Sequence, residues 1–184
     1  MFQVHQVTNE RQLFACRQIR RQVFQIGQNV PKDIEEDRYD EMENVFASNS
    51  DCVHFLAVKD DHPIGTCRIR RIDPYWAKLE RVAVLSDQRI MGVGKTLNQQ
   101  AISYQKLNWP ELLVKTHAQE PVKEFYEKLD FKNISESAHF EADIAHYVMV
   151  LLPTKHEKEK LAILNKPNFD WAEYQILKKL LDPV

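Results

Sequence analysis

Apolar and polar residues alternate along several short stretches of the chain, and this alternation predicts strands. The first stretch, FQVHQV at residues 2–7, precedes a segment at residues 9–26 whose apolar residues recur at helical spacing, which predicts a strand followed by a helix. Three further stretches, VHFLAVKD, TCRIRRI and KLERVAVL, have strand length, β-branched residues and turn residues between them. They predict three strands of an antiparallel meander.

The second half of the chain combines helical and strand patterns. A helix that packs on a sheet is predicted by an apolar stripe at helical spacing, formed by Val93, Leu97, Ala101 and Tyr104. Beyond it, ELLVKTHAQ predicts a strand, EPVKEFYEKLD a helix with proline in its first turn, and IAHYVMVLL a final strand. The predicted fold class is mixed α/β, α+β-like, with one sheet.

Pro153 ends this pattern and separates a predicted domain at residues 1–153 from a C-terminal helical extension at residues 154–184. Two short helices are predicted there by KHEKEKLAILN and DWAEYQILKKLL. The second helix carries an apolar stripe that needs cover, formed by Trp171, Tyr174, Leu177 and Leu181. Cover from the same domain and cover from a second subunit are both open, so a homodimer is one of two expectations.

Composition excludes several classes of partner. A chain of 184 residues is long enough for one domain with a core, and its net charge of -2 gives no sign of a surface for nucleic acid. The longest apolar run, YVMVLL, is far shorter than the ~20 residues that span a bilayer, and the first residues do not resemble a signal peptide. We therefore expect a cytoplasmic protein without a membrane partner. Cys16, Cys52 and Cys67 form no CxxC pair, which predicts reduced, partly buried thiols and no zinc site.

An acidic segment at residues 33–43 contains seven carboxylates, with the basic residues Arg38 inside it and Lys32 directly before it. One interpretation is a solvated surface. The other is that clustered negative charge raises the local concentration of a cationic amine. Neutralising Glu35, Asp37 and Asp40 tests the second interpretation, which expects a salt-sensitive rise in KM.

The segment DQRIMGVGKT, at residues 87–96, holds two of the four glycines of the chain. A P-loop would place Arg89 where its first glycine is needed, and a dinucleotide fingerprint would place Leu97 at its third glycine. The pattern RxxGxG, with Gly92 and Gly94 between a strand and a helix, agrees better with a turn that binds pyrophosphate. Amides at the positive end of a helix dipole bind phosphate, and glycines allow close approach. A tight turn without a ligand is the alternative.

Longer segments around this turn resemble the GNAT acetyltransferase superfamily. ERVAVLSDQRIMGVGKTLNQQAI is similar to its acetyl-coenzyme A segment, and THAQEPVKEFYEKLDF is similar to the segment that follows. VFQIGQNVPKDIEEDRYD and FEADIAHYVMVLLP further resemble its small ElaA-like branch. The resemblance covers about residues 1–153 and implies the GNAT acyl-CoA N-acyltransferase fold, a central, mostly antiparallel sheet flanked by helices. It also implies acetyl-CoA as co-substrate, no metal, and direct acetyl transfer to a primary amine of a small molecule or peptide.

Three positions depart from the family pattern. The family usually has glycine where Ile90 and Asp130 stand, and Gly27 replaces a glutamate common in the ElaA-like branch. Asp130 can adopt the left-handed conformation more easily than most residues. The side chain of Ile90 must point outward if its amide faces a phosphate.

The resemblance assigns cofactor contacts to particular residues. The pantetheine arm is expected along RVAV, bonded to backbone amides near Val82 and Val84, with Arg89 and Lys95 adding positive charge beside the phosphates. The implied cofactor-binding residues are Val82, Ala83, Val84, Arg89, Ile90, Met91, Gly92, Val93, Gly94, Lys95, Gln119 and Tyr126.

Acetyl transfer requires a neutral amine, and an alkyl ammonium with a pKa near ~10.4 must lose a proton first. Glu80 is a candidate base because period-two alternation places it on one face with Val82 and Val84, although a glutamate at a strand end can instead pair with an arginine. His117 and His146 are alternatives, because imidazole has a pKa near ~6.5, or they are core histidines. Tyr126 either protonates the leaving thiolate or packs on the pantetheine.

Two other functions compete with acetyl transfer. A non-catalytic module that senses acyl-CoA would share the fold and the turn. A P-loop NTP-binding protein is the second alternative, and Arg89 argues against it.

Overall fold

The computed structural model describes residues 1–154, so the predicted helices at residues 155–184 lie outside the described part. The strands are β1 (Phe2–Gln6), β2 (Cys52–Lys59), β3 (His62–Arg71), β4 (Trp76–Val84), β5 (Leu113–Gln119), β6 (Phe131–Asn133), β7 (His139–Glu141) and β8 (Ile144–Leu151). The α-helices are α1 (Glu10–Arg20), α2 (Lys32–Glu35), α3 (Met42–Val45), α4 (Val93–Asn108) and α5 (Lys123–Glu127). A π-helical stretch, Arg21–Ile26, continues α1, and short 3-10 turns lie at Arg38–Asp40, Ser86–Met91 and Glu120–Val122.

All eight strands belong to one mostly antiparallel sheet, which confirms the predicted fold class. Its order is β1-β2-β3-β4-β5-β8-β6, and β7 also pairs with β8. Residues 1–154 form two compact units, a first unit at Met1–Arg71 and Leu79–Tyr104, and a second unit that contains Ile72–Lys78 and residues 105–154. No helix within residues 1–154 is long and apolar enough to cross a membrane.

The core of the first unit forms where α1 packs its apolar stripe. Asn9 caps α1, because its side chain accepts a hydrogen bond of 3.0 Å from the amide of Gln12 and so satisfies a donor that the first turn leaves unpaired. Leu13, Cys16 and Ile19 of that helix are buried in one cluster with side chains that include Leu56. The periodicity read from the sequence therefore identified the correct buried face.

Helix α4 lies close against β3 because of a single glycine. Val93, Leu97 and Ala101 are fully buried, as the predicted stripe requires. A Cβ atom on Gly65 would lie 2.9 Å from Cγ1 of Val93 and 3.1 Å from Cδ1 of Leu97. The first distance is shorter than real Cβ contacts and the second is tighter than most, so Gly65 allows the start of α4 to approach the sheet. The position of the turn before α4 depends on this contact.

The second unit is built on β5 and β8. Strand β5 pairs in parallel with β4 through three residue pairs, Trp76–Lys78 with Leu113–Lys115, and antiparallel with β8 through Gln119↔His146 and its neighbours. Its core cluster consists of Trp76, Leu113, Ile134 and Val150.

Strands β6 and β7 were not predicted from the sequence. Each has three residues, which is too short for alternation to be recognised. Asp130, directly before β6, has a φ of 67°, so it keeps the left-handed turn that the family makes with glycine. The β7–β8 turn uses Ala142 and Asp143, with φ of 49° and 59°, in place of the Asn-Gly that signals such a hairpin.

The three cysteines are free, as predicted, but they are fully buried, so the expected partial burial is wrong. Burial raises the pKa of Cys16 to about 11 and that of Cys52 to about 12. Thiols in this state are poor nucleophiles and poor metal ligands at neutral pH, because both roles require the thiolate.

Candidate functional site

The turn between β4 and α4 is held open by one glycine in a left-handed conformation. After β4 the chain makes the 3-10 turn Ser86–Met91, and Gly92 then has a φ of 75°. A Cβ atom on Gly92 would meet no atom within 4 Å, so the backbone angle, and not lack of space, requires glycine here. Helix α4 begins at the next residue, Val93.

The carbonyl groups of this turn are already bonded within the helix that follows. The amide of Thr96 donates to the carbonyl of Gly92 over 3.1 Å, and Nδ2 of Asn98 donates to the carbonyl of Gly94 over 2.7 Å. The first amides of an α-helix, by contrast, have no acceptor inside it, and they point outward at the positive end of the dipole. An anion placed beside this turn would meet amide donors rather than carbonyl oxygens.

The side chain of Ile90 points outward, as it must if the amide of Ile90 is to face a phosphate. Its side chain is 96% exposed, so its β-branched carbons point away from the backbone of the turn. Arg89 and Lys95 are also exposed, and Nε of Arg89 donates to the carbonyl of Val84 over 3.2 Å. The turn therefore carries two basic side chains on its outer rim.

Strand β4 is irregular at Arg81, which the sequence did not indicate. Arg81 has a φ of 54°, in the left-handed region, within a strand. Regular pleating breaks at such a residue, so the extrapolation that placed Glu80 on one face with Val82 and Val84 does not hold across it. Arginine carries no turn signal, and neither its neighbours nor its spacing could have revealed the irregularity.

Glu80 is an ion-pair partner of two arginines. Its Oε1 accepts hydrogen bonds from Nε of Arg68 over 2.9 Å and from Nε of Arg70 over 2.6 Å, and the residue is 9% exposed. This is the arrangement that the sequence offered as the alternative to a base. A carboxylate bonded to two guanidinium groups has its lone pairs engaged, and a role for Glu80 as base stays a prediction.

Several carboxylates of the acidic segment belong to the same buried assembly, which we name the arginine–carboxylate network. It consists of Arg20, Arg68, Arg70, Arg81, Glu35, Asp37, Asp40 and Glu80. Arg20 bonds the carboxylates of both Glu35 and Asp40, which are 1% and 5% exposed. The interpretation of these residues as a solvated surface is therefore wrong for Glu35 and Asp40.

The guanidinium groups of Arg20 and Arg68 face oxygen acceptors. Arg68 donates to both carboxylate oxygens of Asp37, over 2.8 and 2.6 Å, and Arg20 donates to the backbone carbonyl of Glu35 over 2.8 Å. Burial alone would raise the pKa of Asp40, but hydrogen bonds and charge from Arg20 outweigh it and lower that pKa to about 2. Asp40 is thus held in its charged form at neutral pH.

A cleft of about 550 Å³ lies in the first unit between α1 and the acidic segment. Its acidic lining residues are Glu10, Glu36, Asp37, Asp40, Glu41 and Glu43. Arg17 also lines it and pairs with Glu36 over 2.9 Å. Glu41 and Glu43 are exposed, so these two lining carboxylates of the segment can face a dissolved cation.

Tyr126 lies on α5 in the second unit and is held by two aromatic rings. Its ring packs edge to face on Phe125 at 5.2 Å and on Phe131 at 5.4 Å between centroids, and the residue is 5% exposed. These contacts fix the direction of the phenol. Both interpretations, proton donor and packing residue, remain predictions.

His117 lies on β5 and has three polar neighbours around one ring nitrogen. Its Nδ1 is 2.9 Å from Oε1 of Glu141, 3.2 Å from Nε2 of His139 and 3.3 Å from Nζ of Lys78. Burial lowers the pKa of His117 below 6.5, against the opposing effect of Glu141. The hydrogen bond with His117 lowers the pKa of Glu141 well below its usual range. Sequence reasoning found His117 but missed both partners on β7.

His146 resembles a satisfied core histidine more closely than a base. It is 8% exposed, and its Nδ1 lies 2.8 Å from the carbonyl of Ile144, which fixes the proton on that nitrogen. Gln119, the expected cofactor contact, is its register partner across β5 and β8. Among the predicted residues, the first unit therefore holds Glu80, Val82–Val84 and the turn, and the second unit holds His117, Gln119 and Tyr126.

A sheet with one short parallel ladder among antiparallel ones, and a glycine turn between β4 and α4, agree with the fold that the resemblance implied. The sequence profile of the acetyltransferase (GNAT) family matches residues 14–131. The chain belongs to the GNAT acetyltransferase family, so it is an acyltransferase, as its sequence predicted.

Known relatives agree with this assignment. The Bacillus subtilis protein BSU40680, an inferred acetyltransferase, is 33% identical over 141 residues, which are 72% of this chain and 85% of that protein. The uncharacterized N-acetyltransferase YjcF of Bacillus subtilis is 32% identical over 77% of this chain and 94% of its own length. The crystal structure of Escherichia coli ElaA matches with a TM-score of 0.70 at 25% identity, over 82% of this chain and 99% of ElaA. The predicted resemblance to the ElaA-like branch is thereby confirmed.

Proposed function

We propose that this protein transfers an acetyl group from acetyl-CoA directly to a primary amine of a small molecule or peptide. The observation that carries the proposal is the turn at Gly92, whose carbonyls are bonded within α4 while its amides stand at the start of a helix. Such a turn suits a pyrophosphate, because amides and the helix dipole both stabilise negative charge. Membership of an acetyl-CoA-dependent family supports the identity of that pyrophosphate.

The proposed cofactor contacts lie along the end of β4 and in the turn that follows it. We place the phosphates at the amides from Ile90 to Lys95, with Arg89 and Lys95 supplying charge from the rim. We place the pantetheine along Val82–Val84, which lies beyond the three residue pairs of the β4–β5 ladder. Backbone groups there can bond an extended ligand in the manner of a strand. Gln119 and Tyr126 complete the proposed set.

In the proposed reaction the amine nitrogen attacks the thioester carbon, a C–N bond forms, and the C–S bond breaks. The ammonium proton must first pass to a base, and the departing thiolate must receive a proton. We favour His117 over Glu80 as the base, because Glu80 is engaged by Arg68 and Arg70. Tyr126 is the proposed acid, since its phenol is held in one direction by Phe125 and Phe131.

The acceptor is proposed to carry positive charge before it reacts. The acidic cleft between α1 and the acidic segment supports this, because charge of one sign raises the local concentration of the other. The double variant Glu41→Gln, Glu43→Gln tests it without breaking the arginine–carboxylate network, and it should raise KM at low salt more than at high salt. A KM that is equal at both salt concentrations would refute attraction by this segment.

Thermal-shift measurements with acetyl-CoA, free coenzyme A and MgATP test the cofactor. A ligand that binds the folded state raises the unfolding temperature, so acetyl-CoA and coenzyme A should raise it and MgATP should not. Stabilisation by MgATP alone would favour the P-loop alternative. Release of free thiol in the presence of an amine panel then separates an enzyme from an acyl-CoA sensor, which would bind without turnover. The cytoplasmic location stays a prediction.

A further inference from the structure

Three ligand atoms converge on the surface of the second unit. Nδ1 of His117, Nε2 of His139 and Oε1 of Glu141 lie within 4.8 Å of one another. The individual separations are 2.9 Å between His117 and Glu141, 3.2 Å between His139 and Glu141, and 3.2 Å between the two histidine nitrogens. We name these three residues the histidine cluster. It combines β5 with β7, which share β8 as pairing partner in the sheet.

These separations are close to those of ligands around one small cation. Zinc bonds to histidine nitrogen and carboxylate oxygen measure about 2.0–2.2 Å, which sets tetrahedral ligand atoms roughly 3.3–3.5 Å apart. The observed separations of 2.9–3.2 Å need to widen by only a few tenths of an ångström. The side chains of His139 and Glu141 are 37% and 41% exposed, so they have room for such a change.

The protons of neutral imidazoles cannot satisfy every contact of His117. If its Nδ1 carries the proton and donates to Glu141, the same atom presents a donor to the ammonium of Lys78 at 3.3 Å. If Nδ1 carries the lone pair instead, it can accept from Lys78 but it faces the acceptor oxygen of Glu141. One contact is mismatched in either tautomer. A cation between the three atoms would accept a lone pair from each of them.

We propose that His117, His139 and Glu141 bind a divalent transition-metal cation of the zinc type. Two imidazoles and one carboxylate form a ligand set that zinc accepts, and three protein ligands leave a position open for water or another donor. The side chain of His117 is 23% exposed and the other two are more exposed, so the cation can enter from solvent. The buried thiols of the first unit do not compete for it, since burial raises the pKa of each.

A bound cation has a consequence that rests on the proposed function. The lone pair of His117 that binds the metal is then no longer available to the proposed base. We therefore expect zinc to inhibit acetyl transfer, while binding of the cation itself depends only on the geometry of the histidine cluster. Failure of either proposal can be recognised separately, because binding is measured without acetyl-CoA.

The experiment is a zinc titration of the untagged protein after treatment with a chelator, in competition with a chromophoric chelator. We expect one equivalent of zinc to bind. His139→Ala and Glu141→Gln should each weaken binding at least tenfold. Cobalt(II) titration should give the absorption bands of a tetrahedral site without thiolate charge-transfer bands.

Two matched controls separate this site from other histidines. His62→Ala removes an exposed histidine of the first unit, and His156→Ala removes one outside the described residues, so neither should change zinc affinity. Both β7 variants lie on a short strand of half-exposed side chains, and circular dichroism checks that each is folded. The proposal is overturned if the native protein binds no zinc, or if His139→Ala and Glu141→Gln bind it as tightly as the controls.

Discussion

The arginine–carboxylate network and the histidine cluster are both groups of ionisable side chains, but they differ in how donors meet acceptors. In the network, the side chains of Arg20 and Arg68 are 1% exposed and donate to carboxylates that are themselves in ion pairs. In the histidine cluster, side chains are 23–41% exposed, and one nitrogen of His117 faces the ammonium of Lys78, the carboxylate of Glu141 and a ring nitrogen of His139. A matched, buried set stabilises the fold, whereas an unmatched, accessible set has capacity left for a ligand.

Breaking the network should have the largest effect. Arg20→Met leaves Glu35 and Asp40 as buried carboxylates without their main partner, which should lower the free energy of unfolding by about 3–5 kcal/mol. Chemical denaturation followed by circular dichroism measures the loss. Arg17→Met is the matched control, because its pair with Glu36 is partly exposed and is worth about 0–1 kcal/mol. Equal losses in both variants would contradict the structural role of the network.

Replacing His117 should affect turnover strongly and the free energy of unfolding little, in contrast to Arg20→Met. His117→Gln should lower turnover by ~10² to 10⁴-fold, which is the range for loss of general base catalysis. It should change the free energy of unfolding by about 1 kcal/mol or less, since the side chain is accessible. Thiol release with the best acceptor amine measures turnover. Unchanged turnover would exclude His117 as the base and favour Glu80 for that role.

Tyr126 lies outside both groups and separates catalysis from metal binding. Tyr126→Phe should lower turnover by up to ~10² to 10⁴-fold if its phenol protonates the thiolate, with the affinity for acetyl-CoA nearly intact. Zinc affinity should not change, since the residue belongs to no part of the histidine cluster. The comparison requires only thiol release and two binding titrations. Turnover at the native level would leave Tyr126 as a packing residue.

The sequence predicted what depends on local periodicity and missed what depends on distant partners. Strands of five or more residues and the apolar stripe of α4 follow from alternation and helical spacing. The carboxylates of residues 33–43 looked exposed, because their partner Arg20 lies on a preceding helix and Arg68 lies on β3. No spacing rule joins charges so far apart along the chain.

The glycine turn of the candidate site was predicted from its sequence motif. The residues that the β7–β8 hairpin brings to His117 were missed. The turn at Gly92 follows from two glycines between a strand and a helix, and its φ of 75° agrees with the need for glycine. His139 and Glu141 reach His117 because β7 folds back on β8 through Ala142 and Asp143, which lack the glycine that signals such a turn. The sequence therefore gave no indication that the side chain of His117 contacts side chains of β7.

The arginine–carboxylate network should lose part of its contribution to the free energy of unfolding in acid. The pKa of Asp40 is about 2 in the folded protein and near 3.8 when unfolded, so its ion pair contributes stability above pH ~4. That contribution is lost as pH falls from ~4 through about 2, because the unfolded state then binds the proton first. The free energy of unfolding measured between pH 7 and pH 2 should fall less steeply for Asp40→Asn than for the native protein. An identical slope would show that Asp40 does not carry the effect.

The smallest expected effect concerns the charge of Lys78 beside the histidine cluster. Nζ of Lys78 lies 3.3 Å from the nitrogen of His117 that would bind zinc, so its positive charge opposes a cation there. Lys78→Met removes this charge and should tighten zinc binding by roughly tenfold, as expected for one charge a few ångströms away in a solvated site. Lys115→Met is the control, because Lys115 lies over the ring of Trp76, where its Nζ is 4.8 Å from the centroid. Competition with a chromophoric chelator measures both variants. Weaker zinc binding in Lys78→Met would mean that Lys78 supports the arrangement of the three ligands instead of opposing the cation.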